Sequence, residues 1–361
     1  MPERLKDIFF TRDSLNKFGD IVKNHYPEFD KDKFLSLIFT SEWESKELKG
    51  KMRHTTICLR ETLPPDLKQS LDILYKIAPL VKGFEAMSLP DYVELYGMND
   101  WDLALPALGY FTQFISAEFA IRPFLDNDPE KVMTYMNQWA EDKHANVRRF
   151  ASEGCRPRLP WAMALPKFKK NPKLIFPLLE KLKNDESEFV RRSVANNLND
   201  ISKDNPDLML DICEKWYGSS KETDWIVKHA CRSLLKAGNK RALILFGYSD
   251  PKNIKVRKLE LENKNVTIGT YLHYSFDLHF TGNDKNKVRL EYGIDFMKAN
   301  GKQSRKIFKI TENTYEPGTI SFSKKHSFAD MSTRKHYAGE HKIAVIVNGE
   351  KKASEVFNVA K

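Results

Sequence analysis

The feature that most constrains the fold is a change in the spacing of apolar residues near residues 248–251. Before this point apolar residues recur at helical spacing, and Pro, Asn and Asp separate the segments. After it they alternate with a period of two, which is typical of half-buried strands. The sequence therefore predicts two domains, an all-α domain over residues 1–250 and an all-β domain over residues 251–361.

The alternation in the C-terminal domain predicts about seven strands. Leu272 to Phe280 and Val288 to Phe296 each place alternate apolar side chains on one face. Turn-forming residues separate the strands at 281–284, 300–301 and 348–349. The strands fall at roughly 254–262, 266–280, 287–297, 305–311, 318–322, 341–347 and 353–359. This number and length predict an immunoglobulin-like β-sandwich, although the domain contains neither Cys nor Trp.

The helical domain contains an internal repeat. Residues 142–149 align with residues 185–192, and more weakly with residues 227–230. The spacings are 43 and 37 residues, which predicts an all-α HEAT-like repeat solenoid with two helices in each unit. In each unit an acidic residue would complement the helix N-terminus, a valine would pack inward, and a pair of basic residues would project to one side.

The charge distribution points to a polyanionic partner. The net charge is −7 over residues 1–142, but +8 over residues 143–192 and +9 over residues 251–361. Basic regions bind phosphates because neutralisation releases counterions. Stacked repeats would align their basic pairs into a ridge of Arg148, Arg149, Arg191, Arg192, Lys228 and Arg232. The alternative is a solvated repeat motif, as in HEAT proteins that bind other proteins.

Several classes of protein do not fit this sequence. The four cysteines form no CxxC pair and no Cys/His spacing of a zinc site, so we expect neither a metal nor another cofactor. Scattered cysteines suit a reducing compartment, and we expect a cytoplasmic protein. No stretch of 18 uncharged apolar residues is present, so we expect no membrane partner.

A short segment at residues 151–162 concentrates chemically active side chains. A helix that begins near Val147 must stop at Gly154 and Pro157, and Pro160 stiffens the chain before the tryptophan. The segment holds one carboxylate, two arginines and a tryptophan: Glu153, Arg156, Arg158 and Trp161. The structural alternative is a tryptophan that fills a gap between repeats, with arginines that cap a helix end.

Two further carboxylates are candidates. Asp200 lies near the C-terminus of a predicted amphipathic helix, where the helix dipole disfavours an anion. Glu118 lies in a strongly apolar segment that we predict to be helical, with Arg122 four residues later. The alternatives are a solvated aspartate and an intrahelical Glu118–Arg122 ion pair.

The strings ISAEFAIRPFL, VRRFASEGCRPRLPWA, VRRSVANNLNDISKDNP and WIVKHACRSLLKAGN resemble those of bacterial AlkC-type DNA alkylation-repair glycosylases, which are related to AlkD. The resemblance covers roughly residues 100–245, and one subfamily carries a C-terminal Ig-like domain. It implies that Glu118, Glu153 and Asp200 face the lesion nucleotide as catalytic residues and that Trp161 contacts the deoxyribose or the base. Arg156 and Arg158 then join the basic residues predicted to bind DNA.

The resulting hypothesis is a monofunctional DNA glycosylase that acts as a monomer on double-stranded DNA in the bacterial nucleoid. A 3-alkylated adenine or cytosine is cationic and leaves readily, so carboxylates need only stabilise the oxocarbenium-like sugar and position water. No Schiff-base lysine is evident in the acidic cluster, and residues 1–90 suggest only a cap of the solenoid, with a basic segment at 49–54. Two alternatives remain, a non-catalytic HEAT-repeat protein that binds bent or branched DNA and an adaptor for acidic proteins.

We also expect loops of the sandwich to contact DNA and to help bend it. The basic residues predicted in those loops are Lys285, Lys287, Lys302, Arg305, Lys306, Lys324, Lys325, Arg334 and Lys335.

Overall fold

The computed structural model describes residues 8–281, 283–331 and 335–361. The chain folds into two compact units, one ending at Ala230 and the other beginning at Cys231. The change from helices to strands falls between Leu245 and Ile254, where the apolar spacing predicts it. The last two helices belong to the same compact unit as the strands.

All regular secondary structure among the described residues of the first unit is helical. Its α-helices α1 to α14 span Arg12–His25, Lys31–Ile38, Leu48–Arg60, Leu67–Ile77, Ser88–Tyr96, Trp101–Phe111, Arg122–Asn127, Pro129–Trp139, Ala145–Gly154, Pro166–Lys170, Phe176–Leu182, Glu188–Ile201, Pro206–Trp216 and Lys221–Ala230. Short 3-10 helices lie at Trp43–Ser45, Phe84–Met87 and Lys173–Ile175. Side-chain N-caps begin many of these helices, for example Asp128, which accepts the amide of Lys131 at 3.0 Å.

The first two aligned segments occupy equivalent positions at the start of α9 and α12, whereas residues 227–230 form the last turn of α14. Helix α9 packs against α12, and α12 packs against α14. The valine of each segment is buried: Val147 is 1% exposed, and Val190 and Val227 are 0% exposed. The inward-facing valine of the repeat is therefore confirmed.

The predicted helix around Glu118 is wrong. Helix α6 ends at Phe111, residues 112–121 form turns, and α7 begins at Arg122. Pro123 lies in the first turn of α7 and has no amide hydrogen to donate to the carbonyl of residue 119. A helix through Glu118 would lose that hydrogen bond, so a new helix begins instead.

The second unit contains α15 (Arg232–Lys236), α16 (Lys240–Leu245), a 3-10 turn at Pro251–Asn253 and two antiparallel-rich sheets. Strands β1 to β8 span Ile254–Leu261, Asn265–Thr267, Tyr271–Phe280, Asn286–Met297, Gln303–Tyr315, Gly318–Ser327, Gly339–Val347 and Glu350–Ala360. One sheet has the order β1-β3-β6, and the other has the order β2-β8-β7-β4-β5.

The structure describes eight strands where the sequence predicts seven. The predicted strand at 266–280 divides at Gly269, whose φ of +98° suits glycine far better than other residues. The first piece, β2, pairs in parallel with β8, and the second piece, β3, belongs to the other sheet. The predicted turn at 281–284 includes Gly282, which lies outside the described residues.

The period-two pattern correctly identifies the core of the sandwich. Leu272, Tyr274, Phe276, Leu278 and Phe280 are all at most 3% exposed. The prediction that the basic residues of this unit lie in loops is wrong for five of them, because three fall inside segments that the alternation itself predicts as strands and two lie in β6, which is longer than predicted. These five are Lys287, Arg305, Lys306, Lys324 and Lys325. Arg334 lies outside the described residues.

A buried histidine occupies one end of the sandwich core. His341 is 0% exposed. Its Nδ1 lies 2.9 Å from the carbonyl oxygen of Gly339, and its Nε2 lies 3.3 Å from the amide nitrogen of Met297. A carbonyl only accepts and an amide only donates, so the ring is neutral with its proton on Nδ1. Burial lowers the pKa of His341 below its ordinary value of 6.5.

We expect this histidine to make the sandwich less stable in mild acid. The unfolded chain takes up a proton near pH 6.5, whereas the folded chain resists it, so stability falls as the pH drops below that value. Thermal unfolding of the full chain, followed by circular dichroism at pH 7.5, 6.5 and 5.5, measures the decline. His341→Gln is expected to flatten it, whereas His279→Gln on the exposed face of β3 should not. An equally steep decline in His341→Gln would show that another group is responsible.

All four cysteines are buried. Cys58 is 3% exposed, and Cys155, Cys213 and Cys231 are 0% exposed. Burial raises the pKa of Cys58 to about 11 and that of Cys155 to about 12. These two thiols therefore stay protonated at neutral pH.

Metal-binding clusters and membrane-spanning helices are both absent from the described residues. No group of three or more His, Cys, Asp or Glu side chains in this part of the chain is arranged to hold a metal ion. Among the helices described, none is both long enough and apolar enough to cross a bilayer.

Candidate active site

The predicted site segment comprises the last turn of α9, which carries Glu153, and part of the loop that follows over residues 155–165. Helix α9 ends at Gly154, where a Cβ would lie only 2.8 Å from Ile121 Cγ2, so the close approach of the two segments requires glycine. Arg122 fixes the loop. Its guanidinium donates to the carbonyl oxygens of Gly154 at 3.0 Å, Arg156 at 2.9 Å and Met163 at 2.6 Å.

The intrahelical Glu118–Arg122 ion pair of the alternative interpretation is therefore not formed, because Arg122 binds the loop carbonyls instead. Arg122 is 0% exposed, and burial lowers its pKa to about 10, which leaves it charged at neutral pH. Glu118 instead accepts hydrogen bonds from Ser116 Oγ and from Arg149. Because Glu118 lies in a turn and not on a helix face, its partners are Ser116 in the same turn and Arg149 on α9, and not a residue four positions along a helix.

The structure brings the three predicted carboxylates together. Arg149 lies between Glu118 and Glu153, with Nη2 3.3 Å from Glu153 Oε1. Arg156 joins Glu153 to Asp200, with Nη1 2.6 Å from Glu153 Oε1 and Nε 2.9 Å from Asp200 Oδ2. Burial lowers the pKa of Arg156, but the charges of Glu153 and Asp200 outweigh it and raise the pKa overall.

The protein itself neutralises this carboxylate network. Ser193 Oγ donates to Glu153 Oε2 at 2.6 Å, and Lys203 Nζ lies 3.0 Å from Asp200 Oδ1. Three cations thus balance the three carboxylates: Arg149, Arg156 and Lys203. Asp200, at 2% exposed, is not the solvated aspartate of the alternative interpretation. Lys203 belongs to the network through its contact with Asp200, and the expectation that no lysine of the cluster forms a Schiff base stays a prediction.

A pocket of about 370 Å³ lies beside the network. Glu118, Glu153 and Arg156 form part of its polar lining, and Trp161 is also in its wall. Its apolar wall includes Phe10, Met52, Phe84, Met87, Phe119 and Leu159. Asp200 is absent from the described lining and reaches this pocket through Arg156.

Trp161 is an exposed member of the pocket wall. It is 69% exposed, so it does not fill a gap between repeats. Its φ of +63° is unfavourable for a large side chain, and such strain is often found at functional sites. Its carbonyl oxygen accepts a hydrogen bond from Lys49 Nζ at 2.7 Å.

The first 90 residues contribute side chains to the pocket that their sequence does not indicate. Lys49 Nζ lies 4.7 Å from the centre of the Phe119 ring, a cation–π distance. Phe10, Met52 and Met87 come from the same region and line the pocket. The only sequence signal is the basic segment at 49–54, and these residues do more than cap the helical domain.

Not all members of the predicted basic ridge project from the surface. Arg148 is 9% exposed and binds Asp185 through both carboxylate oxygens, at 2.6 and 3.0 Å. It also donates to the carbonyl oxygens of residues 142 and 143. Arg191 donates in the same way to the carbonyls of Asp185 and Glu186. The first arginine of each pair thus stabilises the turn before its own helix.

The other predicted DNA-binding residues differ in exposure. Arg156 is 7% exposed and belongs to the carboxylate network, so it does not lie on the surface. Arg158 is partly exposed and binds Asp204 through two hydrogen bonds of 2.7 and 2.6 Å. Arg192 and Lys228 are exposed, whereas Arg232 is partly buried and belongs to the second compact unit.

Comparison with known proteins decides the family. The family model for "DNA alkylation repair enzyme" matches residues 109–234, and that for the "C-terminal Ig-like domain" of YhaZ matches residues 255–361. The chain is 46% identical to the uncharacterized protein YhaZ of Bacillus subtilis over 98% of this chain and 99% of that protein. The solved structure of Pseudomonas fluorescens alkylpurine DNA glycosylase AlkC, bound to DNA containing an abasic site analog, matches with a TM-score of 0.94 and 37% identity over 99% of this chain and 100% of that chain.

The chain belongs to the AlkC-type DNA alkylation repair family. The family resemblance carried by the four sequence strings is thereby confirmed. The predicted fold class, a helical domain followed by an immunoglobulin-like sandwich, is confirmed as well. Within this AlkC-type chain, the carboxylate network and Trp161 lie inside the range that the alkylation-repair family model matches.

Proposed function

We propose that this AlkC-type chain is a DNA glycosylase that hydrolyses the N-glycosidic bond of cationic alkylated bases, 3-methyladenine and 3-methylcytosine among them. The observation that carries the proposal is the pocket in which Glu118, Glu153 and Trp161 meet. Carboxylates and an exposed aromatic side chain are the groups that bind a cation and stabilise positive charge.

The proposed chemistry needs little acid catalysis. The cationic base leaves without protonation, and positive charge then develops on the sugar, as in glycoside hydrolysis. Glu153 and Glu118 line the pocket and would stabilise that charge. One of them would also position the water that attacks C1′. Glu153 is the stronger candidate, because Ser193 and Arg156 each hold one of its oxygens at 2.6 Å.

Asp200 has a supporting role in the proposal. It contacts Arg156 and Lys203 and is 2% exposed. Its charge holds Arg156 against Glu153, so we assign it as a positioning residue of the network. Asp200→Asn is accordingly expected to slow base release less than Glu153→Gln.

Trp161 is expected to act on catalysis and not on stability. Its side chain is 69% exposed, so Trp161→Ala should change the free energy of unfolding by no more than about 0.5 kcal/mol. Loss of an aromatic face beside a cation should slow base release about 10- to 30-fold. Trp225→Ala, which removes a partly exposed tryptophan from α14, is the matched control. A variant that is unstable, or as active as wild type, would contradict this role.

The sandwich would supply a second DNA-contacting surface. It carries 21 Lys and Arg against 12 Asp and Glu over residues 251–361. In the described part, Lys324 and Lys325 are exposed on β6, and Lys325 Nζ lies 4.5 Å from the ring centre of Tyr271. Such basic and aromatic side chains suit contact with a nucleic acid backbone.

A non-catalytic binder of bent or branched DNA remains the second candidate. The surface cations Arg158, Arg192 and Lys228 would serve it equally well. Such a binder does not need carboxylates in the pocket. A glycosylase releases a free base from methylated DNA and a binder does not, so base release distinguishes the two functions.

Release of bases from methylated DNA tests the proposal. Wild-type protein, incubated with methylated duplex and no added cofactor, is expected to free 3-methyladenine, detected by chromatography. The DNA strand should stay intact until alkali is added, because Lys203 is held by Asp200 and Lys49 is hydrogen-bonded to Trp161. A Schiff base needs a neutral amine. Tight binding without base release would support the binder, and borohydride-trapped protein–DNA adducts would contradict the monofunctional mechanism.

A further inference from the structure

The second arginine of the repeated Val-Arg-Arg motif has different surroundings in its two copies. Arg149 and Arg192 are 43 residues apart and occupy equivalent positions in α9 and α12. The side chain of Arg192 is 58% exposed and pairs with the exposed Glu188. The side chain of Arg149 is 15% exposed and pairs with Glu118 and Glu153.

Arg149 lies between the carboxylate network and an exposed side chain. Its guanidinium carbon lies 4.8 Å from the ring centre of Phe189, which is 50% exposed. Its partner Glu118 keeps a side-chain exposure of 15%. Of the two arginines in the network, Arg149 is therefore the one from which a short side-chain movement leads to the surface.

Arg156 is fixed more firmly than Arg149. It binds Glu153 and Asp200, whose side chains are 7% and 2% exposed. Removing Arg156 would leave Glu153 with Arg149 as its cation, at 3.3 Å, and Asp200 with Lys203, at 3.0 Å. Both buried anions would lose a close cationic partner, which is strongly unfavourable. Arg149 can leave at a lower cost, because Glu118 is more exposed and Glu153 keeps Arg156 and Ser193.

The position of Arg149 conflicts with a cationic ligand in the pocket. A guanidinium beside Glu118 and Glu153 repels a second cation and offsets the attraction of both carboxylates. DNA offers an alternative partner, because its phosphates accept two parallel hydrogen bonds from an arginine. A cationic nucleotide and a phosphate arrive together on the same strand.

We propose that Arg149 is an exchangeable counter-ion that sets the selectivity of the pocket for cationic nucleotides. In the free protein it neutralises Glu118 and Glu153. When a cationic nucleotide enters, Arg149 moves to a DNA phosphate and the carboxylates face the new cation. This inference rests on the proposed function, since it assumes that the pocket takes a cationic nucleotide.

Binding to two uncleavable duplexes tests the exchange. One carries a pyrrolidine abasic-site analogue, which is cationic, and the other carries a neutral tetrahydrofuran analogue. Dissociation constants are measured at several KCl concentrations for wild type, Arg149→Met and Arg192→Met. The ratio of the two dissociation constants reports charge selectivity, and the slope of log Kd against log salt reports phosphate contacts.

Arg149→Met is expected to change both quantities. The salt slope for the cationic duplex should fall by about 0.9, the value for one lost phosphate contact. Preference for the cationic over the neutral duplex should rise about tenfold, because Arg149 no longer competes for Glu118 and Glu153. Arg192→Met should leave that preference within about twofold of wild type, whatever its effect on the slope, because Arg192 is not part of the network.

Either of two results overturns the proposal. An unchanged salt slope in Arg149→Met would show that Arg149 does not reach a phosphate, and an unchanged preference would show that it does not screen the carboxylates. If Arg149→Met fails to fold, Arg149→Lys takes its place. That variant keeps the positive charge but not the paired donors. Its preference for the cationic duplex should lie between that of wild type and the tenfold higher value expected for Arg149→Met. Base release by the wild-type protein tests the proposed function independently, because it depends neither on the salt slope of log Kd nor on the ratio of the two dissociation constants.

Discussion

Glu153→Gln is expected to slow base release from methylated duplex DNA by about 100- to 1,000-fold, the size of effect seen when one preorganised group facing a developing charge is removed. The substitution removes the anion that lines the pocket but keeps the shape of the side chain. Glutamine can still accept from Ser193, which lies 2.6 Å from Glu153 Oε2. DNA binding should be retained, because the exposed arginines do not depend on this residue.

Single-turnover release of 3-methyladenine at saturating protein measures the effect, since it separates the chemical step from binding and product release. Glu188→Gln is the matched control, because it makes the same chemical change at an exposed position of α12 that pairs only with Arg192 among its described contacts. Full activity of Glu153→Gln would show that the site is wrongly assigned, even if the wild type is a glycosylase.

Arg122→Met is expected to lower the free energy of unfolding of the helical unit by about 3–5 kcal/mol. The change removes the donor from three carbonyl oxygens, those of Gly154, Arg156 and Met163. Each buried polar group left without a partner costs about 1–3 kcal/mol, and part of that is offset because a buried charge also disappears. Arg122→Lys, which keeps the charge but not the geometry of the donors, should show an intermediate loss.

Urea unfolding followed by tryptophan fluorescence reports this change in the right part of the chain. All six tryptophans lie before residue 231, so the signal comes from the helical unit and not from the sandwich. Arg158→Met is the control in the same loop, because Arg158 pairs with Asp204 at the surface and should cost no more than about 1 kcal/mol. If Arg122→Met is no less stable than this control, the carbonyl contacts do not hold the loop.

Sequence patterns predicted the parts of the molecule that depend on local periodicity. The change from helical to strand spacing placed the start of the sandwich correctly, because each pattern reflects which side chains face a core. The buried valines of the repeat, Val147 and Val190, follow from the same reasoning. The stiff loop after α9 was predictable as well, because Gly154 and Pro157 end a helix whatever surrounds them.

The partners of the charged residues could not be predicted in this way. Arg149 and Arg192 occupy the same position in the same motif, yet Arg149 binds Glu118, which is 31 residues away, and Arg192 binds Glu188 in its own helix. Long-range packing decides such contacts. From the sequence, the three carboxylates face a cationic nucleotide, whereas in the structure the protein supplies their cations itself.

The apolar lining of the pocket was missed for a related reason. Phe10, Met52 and Phe84 come from three separate segments, and nothing in their local spacing distinguishes pocket residues from core residues. The turn that carries Glu118 was missed because its apolar neighbours mimic a helix. In each case the deciding contact lies outside the window that a periodic pattern covers.

The burial of the four cysteines is expected to protect a member of an alkylation-repair family from methylating agents. Methylating agents that damage DNA also attack sulfur, and the thiolate is far more nucleophilic than the thiol. Cys58 and Cys155 are shielded twice, by lack of access and by a pKa raised to about 11 and about 12. A member of an alkylation-repair family built in this way is expected to survive, with its thiols unmodified, the same chemical exposure that creates its substrates.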